Sequence, residues 1–180
     1  TPFLDISVGR FPVQTIEEAR IVVDKVFNYH EDLAMGAWRL NVCFVGDDND
    51  VPETIHTAQA EELADELTAS YPTYNIDKIY LDAYQQESTP GGQRCESVNQ
   101  AINERIEKGA FLVNYTGHGG ELGWAHERIL GVEDISSWSN QNKLPLFMTA
   151  TCEFSRYDDP ARISAGEEVF LKENIGMCLA

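Results

Sequence analysis

A histidine and a cysteine stand at the ends of two short apolar runs, and their side chains are the ones that could do chemistry together. His118 lies in a glycine-rich turn, residues 115–120 (Tyr-Thr-Gly-His-Gly-Gly), that follows the run 110–113. Cys152 ends the second run, residues 144–152. A thiolate can attack a peptide carbonyl to form a thioester, while a histidine protonates the leaving amine and then activates the incoming water or amine. The pair therefore predicts a Cys/His hydrolase with Cys152 as nucleophile and His118 as proton carrier.

The small residues around His118 bear on how such a site would hold its substrate. Glycine lets a substrate backbone come close and leaves amide N–H groups able to point at it. We predict that the N–H groups of Gly119 and Cys152 form the oxyanion hole, where one donor typically lowers the barrier by about 3 kcal/mol. Taken alone, His118 could be an ordinary loop histidine and Cys152 a packed thiol. Their joint placement at two strand ends favours catalysis.

Four residues close to the pair in sequence are candidates for a substrate pocket. Glu121 and Trp124 follow the histidine turn, where they could contact a substrate or simply pack the turn. Glu153 and Arg156 follow the cysteine, in a segment that is either a pocket wall or an ordinary charged loop.

The elements that must position these residues follow from hydrophobic patterning. Capping boxes at Thr15 and Ser164 predict helix starts, and the first of these helices is expected to run to about Leu33. From residue 40 onward, strands alternate with helices. The predicted strands are 40–46, 76–81, the run into His118, 144–152 and 174–180. The predicted helices are 53–69, 95–108 and 164–173, and residues 83–93 are predicted to be loop. This alternation indicates an α/β fold with a mainly parallel sheet covered by helices on both faces. Sites in such sheets form at the carboxyl ends of the strands, where His118 and Cys152 stand.

Composition excludes several classes of protein. The chain has 180 residues and a formal net charge of −17, and it contains no run of Lys and Arg, so nucleic acid is not expected as a partner. Cysteine spacing does not fit a zinc site, and the sequence has neither a Gly-x-Ser-x-Gly elbow nor a dinucleotide-binding glycine motif. We expect that no cofactor is required. Asp47, Asp48 and Asp50 offer oxygen ligands for a possible Ca²⁺, although their spacing is not that of an EF-hand.

Longer segments resemble a known family. Residues 114–119 (Asn-Tyr-Thr-Gly-His-Gly), followed by Glu121 and Trp124, resemble the catalytic histidine segment of the gingipain family of cysteine peptidases. Cys152 follows His118 by 34 residues (152 minus 118), close to that family's spacing. Within the family, the chain is most similar to the signal peptidases, or sortases, of the type IX secretion system of Bacteroidetes. The segments that carry this likeness are 8–12 (VGRFP), 79–84 (IYLDAY), 124–125 with 127–128, and 149–158 (TATCEFSRYD).

The resemblance implies a three-layer caspase-like fold in which Cys152 is the nucleophile, His118 its partner, and Gly119 and Cys152 the oxyanion donors. It implies removal of the C-terminal signal domain from secreted proteins, followed by release of the cargo or its transfer to anionic lipopolysaccharide. It further implies a PorV-like outer-membrane partner and a location at the outer membrane, facing outward. The alternative is a caspase-like binding or scaffold module of the secretion machinery that does not cleave.

The resemblance also shapes the expected domain organisation, because members of this kind are longer. Residues 1–36 are predicted to be a strand–helix segment that links from an upstream subdomain. Residues 37–180 are predicted to be the catalytic caspase-like subdomain, with C-terminal strands of the sheet missing.

Overall fold

A five-stranded parallel sheet organises the protein. The computed structural model describes residues 9–48, 55–173, 175, 177 and 178. The strands are β1 (Asn41–Gly46), β2 (Asn75–Tyr80), β3 (Glu87–Thr89), β4 (Gly92–Arg94), β5 (Leu112–Thr116), β6 (Gly119–Gly120), β7 (Gly123–Trp124), β8 (Leu130–Gly131), β9 (Leu146–Ala150) and β10 (Met177–Cys178). The helices are α1 (Ile16–Asn28), α2 (His56–Ser70), α3 (Glu96–Lys108), α4 (Val132–Ser137) and α5 (Ala165–Leu171). The main sheet has the order β10-β9-β5-β1-β2, and every pair in it is parallel. The predicted parallel sheet is confirmed.

Alternate residues of β1 show how the sheet separates two apolar layers. Val42 and Phe44 pack with Ala64 of α2 on one face. Cys43 and Val45 belong to the larger cluster on the other face, which includes side chains of α1, α3 and α5. Successive side chains of a strand point to opposite faces, so one apolar strand can bury both.

The two predicted capping boxes begin helices where expected. The Thr15 hydroxyl accepts a hydrogen bond from the Glu18 N–H at 3.1 Å, and the Ser164 hydroxyl accepts one from the Glu167 N–H at 3.3 Å. Each Glu carboxylate in turn accepts from the N–H of its cap residue. Local side-chain chemistry thus determines where α1 and α5 start.

Two boundary predictions are wrong. Helix α1 ends at Asn28, not near Leu33, because the carbonyls that follow are taken by tertiary donors: the Arg39 guanidinium donates to the Tyr29 and Ala34 carbonyls. Residues 83–93 are not loop throughout, since they contain β3 and most of the short antiparallel hairpin that it forms with β4. The alternating residues 4–8 (Leu-Asp-Ile-Ser-Val) also predict a short strand, and that segment lies outside the described residues. None of the helices in the described ranges is long and apolar enough to cross a membrane.

Helix α1 packs on α5 through a buried lysine. The Lys25 ammonium donates to the carbonyls of Val169, Phe170 and Lys172 at 3.1, 2.8 and 3.2 Å. Phe11 also lies against Phe170, with ring centroids 5.6 Å apart. The segment before Gly36 is therefore packed on the helix that follows the cysteine loop, while the domain boundary near Gly36 stays a prediction.

Candidate active site

The register between β5 and β9 brings the histidine and the cysteine to one edge of the sheet. Thr116 pairs with Ala150 as the last pair of the two strands. The ladder continues one step further, because the Gly117 N–H donates to the Ala150 carbonyl at 3.2 Å. His118 and Cys152 each follow two residues after the paired positions, on neighbouring strands. His118 is half-buried, while Cys152 is exposed and a free thiol.

A buried carboxylate holds the histidine turn. Asp47, which is 1% exposed, follows the end of β1, and its Oδ2 accepts the His118 backbone N–H at 2.7 Å. The same oxygen accepts the Tyr115 hydroxyl at 3.3 Å, and that hydroxyl also lies 2.5 Å from the His118 carbonyl oxygen. Burial, together with the negative charge of Asp47, raises the pKa of Tyr115, so the phenol keeps its proton and remains a donor. Both backbone groups of His118 are thereby anchored.

Gly117 is required by this anchoring. A Cβ at position 117 would lie 2.4 Å from the Asp47 Cβ and 2.5 Å from the Tyr115 hydroxyl oxygen. Any side chain there would push the turn away from β1. Sequence reasoning considered Asp47 only as a metal ligand and missed its hold on His118. The available signal was that Asp47, like His118, follows the carboxyl end of a predicted strand, where sites in parallel sheets form.

The residues after His118 form a small antiparallel sheet, β6-β7-β8, that lies against the cysteine segment. A Cβ at Gly119 would lie 2.4 Å from the Thr151 Oγ1, so only glycine lets β6 approach the residue before the nucleophile this closely. The two predicted oxyanion donors, Gly119 and Cys152, are therefore carried by touching segments. Their role stays a prediction.

Trp124 packs the turn, which is the second of its two predicted roles. Its side chain is fully buried and stacks on Tyr115 with ring centroids 4.3 Å apart and planes 8° apart. It also contacts Phe154, two residues after the cysteine, at 5.4 Å between centroids. An indole in this position supports the histidine turn and cannot line an open pocket.

Glu121 and Arg156, predicted pocket residues, form an ion pair with each other. The Glu121 Oε1 lies 2.8 Å from the Arg156 Nη1, and its Oε2 lies 3.1 Å from the Arg162 Nη1. Hydrogen bonding to Asp158 raises the pKa of Arg156, which stays charged. Glu153 is exposed and has a left-handed backbone with φ of 56°, a sparsely populated conformation for a non-glycine residue directly after the nucleophile.

Two further histidines surround His118, and sequence reasoning did not connect them with it. The His56 ring, at the start of α2, packs edge-on against the His118 ring at 5.0 Å between centroids. The exposed His126 stacks on it at 5.2 Å, with planes 16° apart. Nothing in the local sequence predicts these contacts, because His56 is brought in by the packing of α2 on β1.

Two of the three residues predicted as metal ligands, Asp47 and Asp48, lie beside the carboxylate of Glu127. Carboxylate oxygens of Asp47, Asp48 and Glu127 lie within 4.8 Å of one another. Asp50, the predicted third ligand, lies outside the described residues. Three carboxylates fit a hard cation such as Ca²⁺ in ligand type.

The fold and the two strand ends define an α/β domain with the architecture of a cysteine peptidase, and comparison with known proteins assigns its family. Residues 1–180 match Peptidase family C25. Gingipain R2 of Porphyromonas gingivalis is 22% identical over 149 residues, covering 82% of this chain and 19% of that protein. Gingipain R1 of the same species is 22% identical over 149 residues, covering 82% of this chain and 14% of its own length.

Solved structures of gingipains are similar to this fold. The crystal structure of the Arg-specific cysteine proteinase gingipain R (RgpB) has a TM-score of 0.71 and 20% identity, covering 93% of this chain and 38% of that one. The complex of the P. gingivalis RgpB pro- and mature domains has a TM-score of 0.72 and 19% identity, and the match covers 98% of this chain and 40% of that one. The predicted caspase-like α/β fold is confirmed. The chain belongs to Peptidase family C25, a family of cysteine peptidases, and spans less than a fifth of the length of the gingipains named above.

Proposed function

We propose that this chain carries the catalytic pair of a cysteine endopeptidase, with Cys152 as nucleophile and His118 as its acid–base partner. The observation that carries the proposal is the β5–β9 register, which places the two residues at equivalent positions on adjacent strands. The Asp47 and Tyr115 hydrogen bonds support it, because they hold the backbone of His118 on a buried framework.

The reaction proceeds in two steps. The Cys152 sulfur attacks the scissile carbonyl carbon, the C–N bond breaks, and His118 gives its proton to the departing amine, leaving a thioester. A water or an amine then attacks the thioester while His118 accepts its proton, the C–S bond breaks, and the Cys152 thiolate beside a protonated His118 is regenerated. The Gly119 and Cys152 N–H groups stabilise the oxyanion in both steps.

The finer proposal is that the chain belongs to a PorU-like signal peptidase, or sortase, of the type IX secretion system. Its substrates are secreted proteins that bear a C-terminal signal domain. Hydrolysis releases the cargo, and attack by an amine of anionic lipopolysaccharide attaches it to the surface. A PorV-like protein is the outer-membrane partner, and the site faces outward. The support is the resemblance of residues 8–12, 79–84 and 149–158, which extend well beyond the histidine turn.

A Ca²⁺ site belongs to the same proposal, with Asp47 and Asp48 as predicted ligands and the neighbouring Glu127 as a third. Their proximity supports it, because three like-charged carboxylates lie within 4.8 Å of one another and carboxylate oxygen is the ligand type that Ca²⁺ prefers. A melting temperature that rises with millimolar CaCl₂ in the parent protein but not in Glu127→Gln is the expected result.

The test follows the intact mass of a secreted substrate with its signal domain, incubated with the intact protein or with Cys152→Ala. We expect cleavage, or a thioester adduct, with the parent protein and neither with the variant. Cleavage by Cys152→Ala at the parent rate would refute the proposal. Binding of the substrate by both forms without cleavage by either would favour a scaffold module. Addition of an amine then separates hydrolysis from transfer.

A further inference from the structure

Glu121 connects the two segments that deliver the reacting pair. It lies in the turn between β6 and β7, three residues after His118, and its side chain is only 13% exposed. Both guanidinium groups that contact it, those of Arg156 and Arg162, belong to the segment between Cys152 and α5. One carboxylate therefore receives two hydrogen bonds from the cysteine loop, one on each oxygen.

The backbone repeats this connection. The Ala165 N–H, in the first turn of α5, donates to the Glu121 carbonyl at 2.6 Å. The next N–H, that of Gly166, donates to the Phe154 carbonyl at 2.8 Å. Successive N–H groups at the start of α5 therefore bind the histidine turn and the cysteine loop. The Glu121 side chain joins the same two segments through its contacts with Arg156 and Arg162.

The charges in this cluster are arranged around Arg156. Its Nε lies 2.8 Å from Asp158, its Nη1 lies 2.8 Å from Glu121, and Glu153 is 3.8 Å away. Isolated exposed ion pairs contribute little, but a shielded carboxylate with two guanidinium partners resists displacement. Glu121 is the member of this cluster that belongs to the histidine turn, so it links the position of Arg156 to that turn.

We propose that Glu121 is a positioning residue for the His118–Cys152 pair: through Arg156 and Arg162 it sets the separation of the two loops and does not itself contact the substrate. The inference rests on the proposed function, because it assigns how that site is held. The attraction between a thiolate and an imidazolium falls with distance, and small misplacements of catalytic groups are costly in rate. Loss of the Glu121 charge should therefore reduce the reactivity of Cys152 without removing any reacting group.

The experiment measures the second-order rate of Cys152 alkylation by iodoacetamide at pH 7 in the intact protein, quantified by peptide mass. The parent protein is expected to react faster than a free thiol, whose pKa is about 8.5. Glu121→Gln should slow the reaction about tenfold, with a matching loss in kcat and little change in KM. The matched control is Asp77→Asn, which removes an Arg105 ion pair of 2.7 Å on β2 and should leave the rate unchanged.

A double-mutant cycle separates positioning from general destabilisation. Arg156→Ala combined with Arg162→Ala should slow alkylation as Glu121→Gln does, and all three changes together should add little more. If Glu121→Gln does not fold, Arg162→Ala carries the test, since that side chain is 67% exposed and its loss should still slow alkylation severalfold.

The outcomes are distinct. A lowered melting temperature with an unchanged alkylation rate would show that Glu121 is structural only and overturn the inference. A parent Cys152 that reacts no faster than a free thiol would overturn the proposed catalytic pair, and the inference with it. His56, His126 and Asp47, which contact His118, are the same in all variants and so cannot produce the difference.

Discussion

Replacing Gly119 by alanine tests whether the close approach of the two segments is what the site needs. The new Cβ would lie 2.4 Å from the Thr151 Oγ1 and 3.2 Å from the Gly123 carbonyl oxygen. Ordinary contacts of a Cβ begin near 3.4 Å, so β6 must move about 1 Å away from Thr151. Displacement of that size takes the Gly119 N–H off the oxyanion position and is expected to lower kcat/KM about 10²-fold.

The assay is cleavage of a secreted substrate by the intact protein, with kcat and KM measured separately. Gly120→Ala is the matched control, because a Cβ at this neighbouring glycine would meet nothing within 4 Å. We expect Gly120→Ala to retain activity within about threefold, since it removes no contact and creates no clash. The loss in Gly119→Ala should fall mainly on kcat, because an oxyanion donor acts in the transition state.

A second substitution should reverse the first. Thr151→Ala removes both side-chain atoms that the new Cβ would meet, the Oγ1 and the Cγ2 at 3.3 Å. The double variant Gly119→Ala/Thr151→Ala is therefore expected to recover at least about tenfold in kcat/KM. Equal activities of Gly119→Ala and Gly120→Ala would refute the reasoning, as would a double variant no better than Gly119→Ala alone.

Two further predictions concern buried ionisable groups. Asp47→Asn should lower the free energy of unfolding in urea by about 2 kcal/mol, because a charged acceptor of the His118 N–H is lost, whereas Asp65→Asn, 69% exposed, should change it by less than about 1 kcal/mol. Burial raises the pKa of Cys43 to about 12, whereas the thiol of the unfolded chain has a pKa of about 8.5. Below about pH 8.5 the buried neutral thiol costs nothing extra. As pH rises toward 12 the unfolded state is favoured because its thiol ionises, and the free energy of unfolding falls by up to about 1.4 kcal/mol per pH unit.

Each of these two predictions has its own contrary result. Equal unfolding free energies of the parent protein and Asp47→Asn would show that the His118 turn does not depend on that charge. For the thiol, urea unfolding between pH 8.5 and 10 should give a steeper loss for the parent than for Cys43→Ala. The exposed Cys152→Ala should keep the parent slope, and a Cys43→Ala slope equal to the parent's would contradict the role of burial.

Local patterns explain why most elements were predictable. The apolar run into His118 specifies the buried strand β5, the run before Cys152 specifies the strand β9, of which only Phe147 is buried, and the boxes at Thr15 and Ser164 specify helix starts. All these signals act within a few residues. The end of α1 was mispredicted because Arg39, a donor from beyond the helix, binds the carbonyl of the C-cap residue Tyr29. The hairpin within residues 83–94 was missed because its strands are only three residues long and exposed.

By itself the sequence determined the strand–helix alternation, the placement of His118 and Cys152 at strand ends, and a resemblance to gingipains. Only the tertiary structure decided what surrounds the pair. Asp47 and His118 are 71 residues apart and meet because β1 and β5 are neighbours in the sheet. Trp124 packs in the core against Tyr115, and Glu121 binds Arg156 and Arg162, which lie 35 and 41 residues away in the sequence. Such contacts depend on strand order and on the packing of loops between elements, and a local pattern of hydrophobicity does not encode either.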